Sequence, residues 1–269
     1  MGRSSSRAIG PRNALLGMLL SSALLVSLWV WVSDAPLVWR LADLWLVALN
    51  GAATTIMTVL LYWGLARGPV NVVAPIVAAH PVLVLLVYVV FAGVQPLAIQ
   101  WVAMAATIVG VVMVAGGRDK AKDTDPGSRL ELRITLLIAL ASSLAYAVLV
   151  IAGQAAVVVY GEVQTLWLGR LASLAMLFLL YGARRDTPHL SIRWWPFLTL
   201  QGMLDAGAYL AFFAGSRGQN PEVAMVVASA FGVVTVLLAW VFLKERISAF
   251  QWLALVLVFG GVGVLAAHV

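Results

Sequence analysis

The sequence predicts an all-α protein, a polytopic membrane helix bundle of about nine transmembrane helices. Three observations carry this prediction. Of 269 residues, 63% are hydrophobic and 10% charged, with a mean hydropathy of +1.01, whereas soluble domains carry about 25% charged residues. The apolar residues gather into stretches near the roughly 20 residues that a helix needs to cross a bilayer. The basic residues between those stretches are unevenly distributed, as membrane topology requires.

In chain order the predicted spans are 14–32, 44–66, 70–91, 97–116, 134–157, 164–182, 195–215, 221–243 and 249–267. The basic N-terminal tail, 1–13, leads into a first span read as a retained helix, because no small-x-small cleavage site follows Trp31. The second span carries Asn50, Thr54, Thr58 and Tyr62 at helical i+4 steps. The third contains Pro75 and His80-Pro81, which predict a kink. Residues 117–133 are polar and charged, and form the linker that divides the chain near its middle.

When the connections alternate sides, Arg3, Arg7, Arg12, Arg67, the linker charges, Arg184, Arg185, Arg193, Lys244 and Arg246 fall together on the N-terminal side. Only Arg40 and Arg217 fall on the other, and Arg170 lies inside a span. Basic loops stay in the cytoplasm, which predicts an odd number of crossings with the N-terminus inside. The net charge of +6 therefore reports topology and contact with membrane lipid, not nucleic-acid binding. The expected location is the bacterial cytoplasmic (inner) membrane.

The chain also repeats itself. Trp45 and Ala66-Arg67-Gly68 return as Trp195 and Ser216-Arg217-Gly218, while Phe91, Gln100-Trp101, Gly110 and Ala115 return as Phe242, Gln251-Trp252, Gly261 and Ala266. In this register 164–182 corresponds to the first span, so the partner of 134–157 is missing. The repeats are then 14–116 with four helices and 134–269 with five. A five-helix unit inserts its two copies in opposite orientations, giving the inverted repeats common among secondary transporters.

These features resemble a known family. Ala66-Arg67-Gly68, Ala78-Ala79-His80-Pro81 and Phe242-Leu243-Lys244-Glu245-Arg246-Ile247, followed by Gln251-Trp252 and Gly260-Gly261, are similar in order and spacing to the EamA type of the drug/metabolite transporter (DMT) superfamily. The resemblance covers nearly the whole chain from Arg12 onward. It implies two inverted five-helix halves that move small metabolites, often outward. The chain departs from that pattern in lacking the first helix, in Gly232 at the position of Pro81, and in Val94 at the position of Glu245.

The span 195–215 is the chemical centre of the prediction. Asp205 sits at its middle, where an ionisable group costs roughly 2.5–3.5 kcal/mol on insertion scales. Gln201 and Tyr209, one turn to either side, share its face. Arg170 lies roughly 9 Å into its own span and Asp205 roughly 15 Å into its span, both from the outer end, so the two side chains can meet. Either they form a structural ion pair, or Arg170 snorkels outward, or the guanidinium grips a substrate carboxylate or phosphate. The candidate substrate-binding residues are Asn50, Tyr62, His80, Arg170, Gln201, Tyr209 and Phe212, with Asp205 as the proton-coupling group. The threonines, Ser142 and Ser143 are explained by helix packing, and Glu245 by a solvated loop.

The sequence excludes several chemistries. It has no cysteine, and its histidines are only 80, 189 and 268. There is no HExxH, Walker loop or lysine within a span. No cofactor, metal or enzymatic activity is expected. The prediction is a secondary-active exporter of a small metabolite, monomeric or homodimeric, alternating access about a midplane cavity. A lipid flippase or lipid-recycling protein and a non-transporting structural membrane protein are the alternatives.

Overall fold

The computed structural model describes residues 9–33, 36–116, 126–185, 187–188, 192–216, 231–242, 244 and 247–267. Among them are ten α-helices: α1 Pro11–Val32, α2 Leu44–Arg67, α3 Val70–Ala78, α4 His80–Phe91, α5 Ala98–Gly116, α6 Pro126–Tyr160, α7 Glu162–Arg184, α8 Trp195–Ser216, α9 Phe231–Phe242 and α10 Ala249–Ala267. Seven segments are long and apolar enough to cross a membrane, one of them α3 and α4 together, and the described parts of α9 and α10 are shorter apolar helices. The early part of the eighth predicted span and linker residues 117–125 lie outside the described residues.

Two elements differ in extent from their apolar runs. Helix α6 is 35 residues long and starts at Pro126, ahead of the apolar run at Ile134. Pro suits a first helical position, and Arg129, Glu131 and Arg133 are good helix formers. Hydropathy marks depth in the membrane, not helicity, so the helix continues into polar sequence. The third span is broken at Ala79. Pro81 has no N–H for the Val77 carbonyl four residues back, and the His80 imidazole Nδ1 meets that carbonyl at 3.2 Å instead.

The chain divides into two compact units, Met1–Ala66 with Val148–Gln219, and Arg67–Ala147 with Asn220–Val269. The first holds α1, α2, the end of α6, α7 and α8. The second holds α3, α4, α5, the start of α6, α9 and α10.

In each unit small residues let backbones approach closely, as membrane helices require without a hydrophobic drive between them. In the first unit a Cβ at Gly51 of α2 would lie 2.7 Å from Gly169 O and 2.8 Å from Ser173 N of α7. A Cβ at Gly202 of α8 would lie 2.7 Å from Met18 O and 2.9 Å from Ser22 N of α1. In the register that aligns Gln100 with Gln251, Gly51 matches Gly202, Met18 matches Gly169 and Ser22 matches Ser173. The two contacts are therefore one contact made twice.

The second unit shows the same reciprocity. A Cβ at Gly110 of α5 would lie 2.8 Å from both Ala254 O and Val258 N of α10. One at Gly261 would lie 2.7 Å from Ala103 O and 3.2 Å from Thr107 N of α5. Residue i meeting j′ while i′ meets j is the signature of two-fold pairing. Rising numbers on α5 face falling numbers on α10, so these repeat-equivalent helices run antiparallel.

The repeated Gln-Trp also has a structural reason. The Gln100 side chain accepts the Leu97 N–H at 2.6 Å, and Gln251 accepts the Ser248 N–H at 3.0 Å. Each is the N3 residue of its helix reaching back to the cap. The Gln251 N–H in turn donates to Ser248 Oγ at 3.2 Å, completing the box in the second repeat only.

Candidate functional site

The first unit holds the buried charge. Arg170 Nη2 on α7 donates to Asp205 Oδ2 on α8. The guanidinium carbon also lies 4.6 Å from the Tyr209 ring centroid, a cation–π geometry. The side chains of Arg170 and Asp205 are 2% and 21% exposed. The cation is thus enclosed by the ion pair and the ring, and the carboxylate is the less buried partner. Arg170 Nε finds no hydrogen-bond partner among the described residues.

One turn before Asp205, Gln201 Nε2 donates to the Tyr62 hydroxyl on α2. Tyr62 in turn contacts Met18 Sδ at 3.4 Å. Gln201 Oε1 has no partner among the described residues. One turn after Asp205, Tyr209 and Phe212 flank Phe213, at ring-centroid distances of 5.9 and 5.6 Å. Phe213 is buried against Gly153 of α6.

In the register that aligns Gln100 with Gln251, the stripes on α2 and α8 are equivalent: Asn50, Thr54, Thr58 and Tyr62 align with Gln201, Asp205, Tyr209 and Phe213. Their roles have diverged. Asn50 Nδ2 donates to Leu149 O at 2.9 Å, and its Oδ1 lies against Gly169, so it ties α2 to α6 and α7. Thr54 bonds back to Asn50 O at 2.8 Å. The polar functional groups of the α8 stripe reach side chains, while these two on α2 bond to backbone.

His80 lies in the second unit. Its ring stacks on Tyr146 of α6, with centroids 3.9 Å apart and planes 14° apart, and Tyr146 reaches Phe231 at 5.9 Å. A carbonyl only accepts, so Nδ1 carries the hydrogen toward Val77 O. Nε2 is then a bare acceptor without a partner among the described residues.

Met18 and Phe213 were not predicted. Met18 gives no chemical signal in an apolar helix. Phe213 is the partner of Tyr62 only in the register that aligns Gln100 with Gln251, whereas the register of Trp45 and Trp195 pairs Tyr62 with the predicted Phe212. The described residues contain no group of three or more His, Cys, Asp or Glu that could hold a metal ion.

Comparison with known proteins fixes the lineage. A solved structure titled only "Crystal structure of protein" superimposes with a TM-score of 0.69 at 18% identity, over 99% of this chain and 91% of that one. That likeness shows the fold alone. No curated protein matches. The model of the EamA-like transporter family matches residues 1–116 and 133–267, nearly the whole chain in two segments. This protein is an integral membrane protein of the EamA-like transporter family, within the drug/metabolite transporter superfamily.

Proposed function

We propose that the protein is a secondary-active exporter of a small metabolite, coupled to protons through Asp205. The observation that supports this most is the unequal exposure of the Arg170–Asp205 pair. Ionisable groups within spans pair with one another or line a water-filled cavity, where they mark substrate paths and proton relays. Here the carboxylate is the less buried member, while the guanidinium is held by Tyr209. A nearby cation favours the charged carboxyl and burial the neutral one, so motion of either helix changes the balance and moves a proton. Gln201, Tyr62 and Tyr209 supply hydrogen bonds and ring surface for a substrate beside it. Alternating access exposes this cluster to one side of the membrane and then the other.

The substrate class is found first, by thermal stabilisation of the purified protein against amino acids, amines and dyes. Asp205→Asn then tests the coupling in liposomes. The variant keeps shape but does not titrate. It should retain substrate exchange and lose accumulation driven by a pH gradient. Unchanged proton-driven uptake ends the coupling role. Loss of folded protein supports a structural pair instead, since Arg170 would be left unpaired in the membrane.

A further inference from the structure

A second feature lies apart from this cluster and does not depend on it. In the second unit, a cavity of about 300 Å³ opens between α3–α4, α5 and the start of α6. Its walls are aliphatic, with Ile76, Val82 and Leu136 among them. Two hydroxyl residues, Thr107 and Ser143, also line it, but the Thr107 hydroxyl already donates to Ala103 O at 2.9 Å. Toward the outside, Ile108, Val112 and Leu140 are 51%, 65% and 46% exposed. These are aliphatic residues on membrane-crossing helices, so the mouth of the cavity faces hydrocarbon.

Water does not suit such a space, because an ordered water needs about two to four polar partners. Left empty, the walls forfeit dispersion contacts on every side. The filler at hand in a bilayer is a hydrocarbon chain.

Two of the corresponding residues differ in the second repeat. Phe259 stands where Ile108 does, and Gly232 stands where Pro81 does. A Cβ on Gly232 would come within 2.8 Å of the Phe259 ring, so that ring packs directly on the glycine. At this position the second repeat carries a ring where the first carries the smaller Ile108.

We propose that this cavity binds one acyl chain of a membrane lipid, which enters sideways between α5 and α6 and ends beside the break at Ala79. The chain fills the void, completes the contact between the two helices, and supports the break from its apolar side.

The test uses the full-length protein in liposomes doped with a phospholipid that carries a photoactivatable diazirine near the end of one acyl chain. After illumination, adducts are mapped by mass spectrometry. Labelling should concentrate on the cavity wall, at Ile76, Val82 and Leu136. Ile108→Phe, which copies the second repeat, should remove most of it. Val109→Phe should not, because Val109 is equally exposed on the same helix and does not line the cavity. If Ile108→Phe fails to fold, Ser143→Leu fills the cavity from α6 and should give the same loss. A wild-type map no denser at the wall than at Val109 or Val256 overturns the proposal, whatever the variants do. Labelling of the wall that survives in a folded cavity-filling variant also overturns it.

Discussion

At the residue scale, charge and the lack of a side chain do most of the work. Arg170 is among the largest fully buried side chains, yet it is held by one carboxylate oxygen and one ring face. The glycines of the helix contacts are as constrained. At Gly51 the atoms a Cβ would meet are Ala172 Cβ, Gly169 O and Ser173 N, none of which can rotate away. Gly51→Ala should therefore cost about 1–3 kcal/mol through forced separation of the helices. Gly202→Ala should cost a similar amount, since it is the same contact in the other repeat. Gly182 meets nothing within 4 Å, and Gly182→Ala should be neutral or stabilising by up to about 1 kcal/mol. Thermal melting of the three purified variants in one detergent checks this. Equal melting temperatures would show that the contacts are not tight.

At the scale of the element, the broken third span joins two residues that the sequence places side by side. Pro81 frees the Val77 carbonyl, and His80 answers it at 3.2 Å. An unsatisfied buried acceptor costs about 1–3 kcal/mol. His80→Ala should lose about that much in the wild-type background, in addition to the Tyr146 stacking. Pro81→Ala restores an N–H for Val77 O, so the hydrogen-bond share of the His80→Ala cost should vanish there. A double-mutant cycle isolates this share, because the lost stacking cancels between backgrounds. A coupling energy near zero would mean that the imidazole does not stand in for the missing N–H.

At the scale of the whole molecule, two independent lines support opposed repeats. The basic residues crowd the N-terminal side of the alternating connections. The equivalent helices α5 and α10 pack antiparallel, with each glycine set against the other helix's backbone. Together they predict an odd number of crossings, with the N-terminus inside and Val269 outside. A reporter active only in the cytoplasm, fused after Val269, should stay silent. A strong signal would require an even count and a different insertion of the second repeat.

The sequence by itself determined the membrane class, the helical content and the family. All three follow from apolar length, turn-by-turn spacing, loop charge, and motifs at fixed separation. It also singled out Asp205, because a carboxylate within an apolar span is conspicuous wherever the span packs. Only the tertiary structure decided which partner each polar group takes. Asn50 and Gln201 occupy equivalent positions in similar helices, yet one bonds to the Leu149 carbonyl and the other to the Tyr62 hydroxyl. The difference lies in the facing residue, Gly169 against the first stripe and Met18 against the second. Nor does the spacing on α7 and α8 say which member of the Arg170–Asp205 pair is the more deeply buried. That depends on Tyr209 closing over the guanidinium, a contact between helices that no single stretch of sequence encodes.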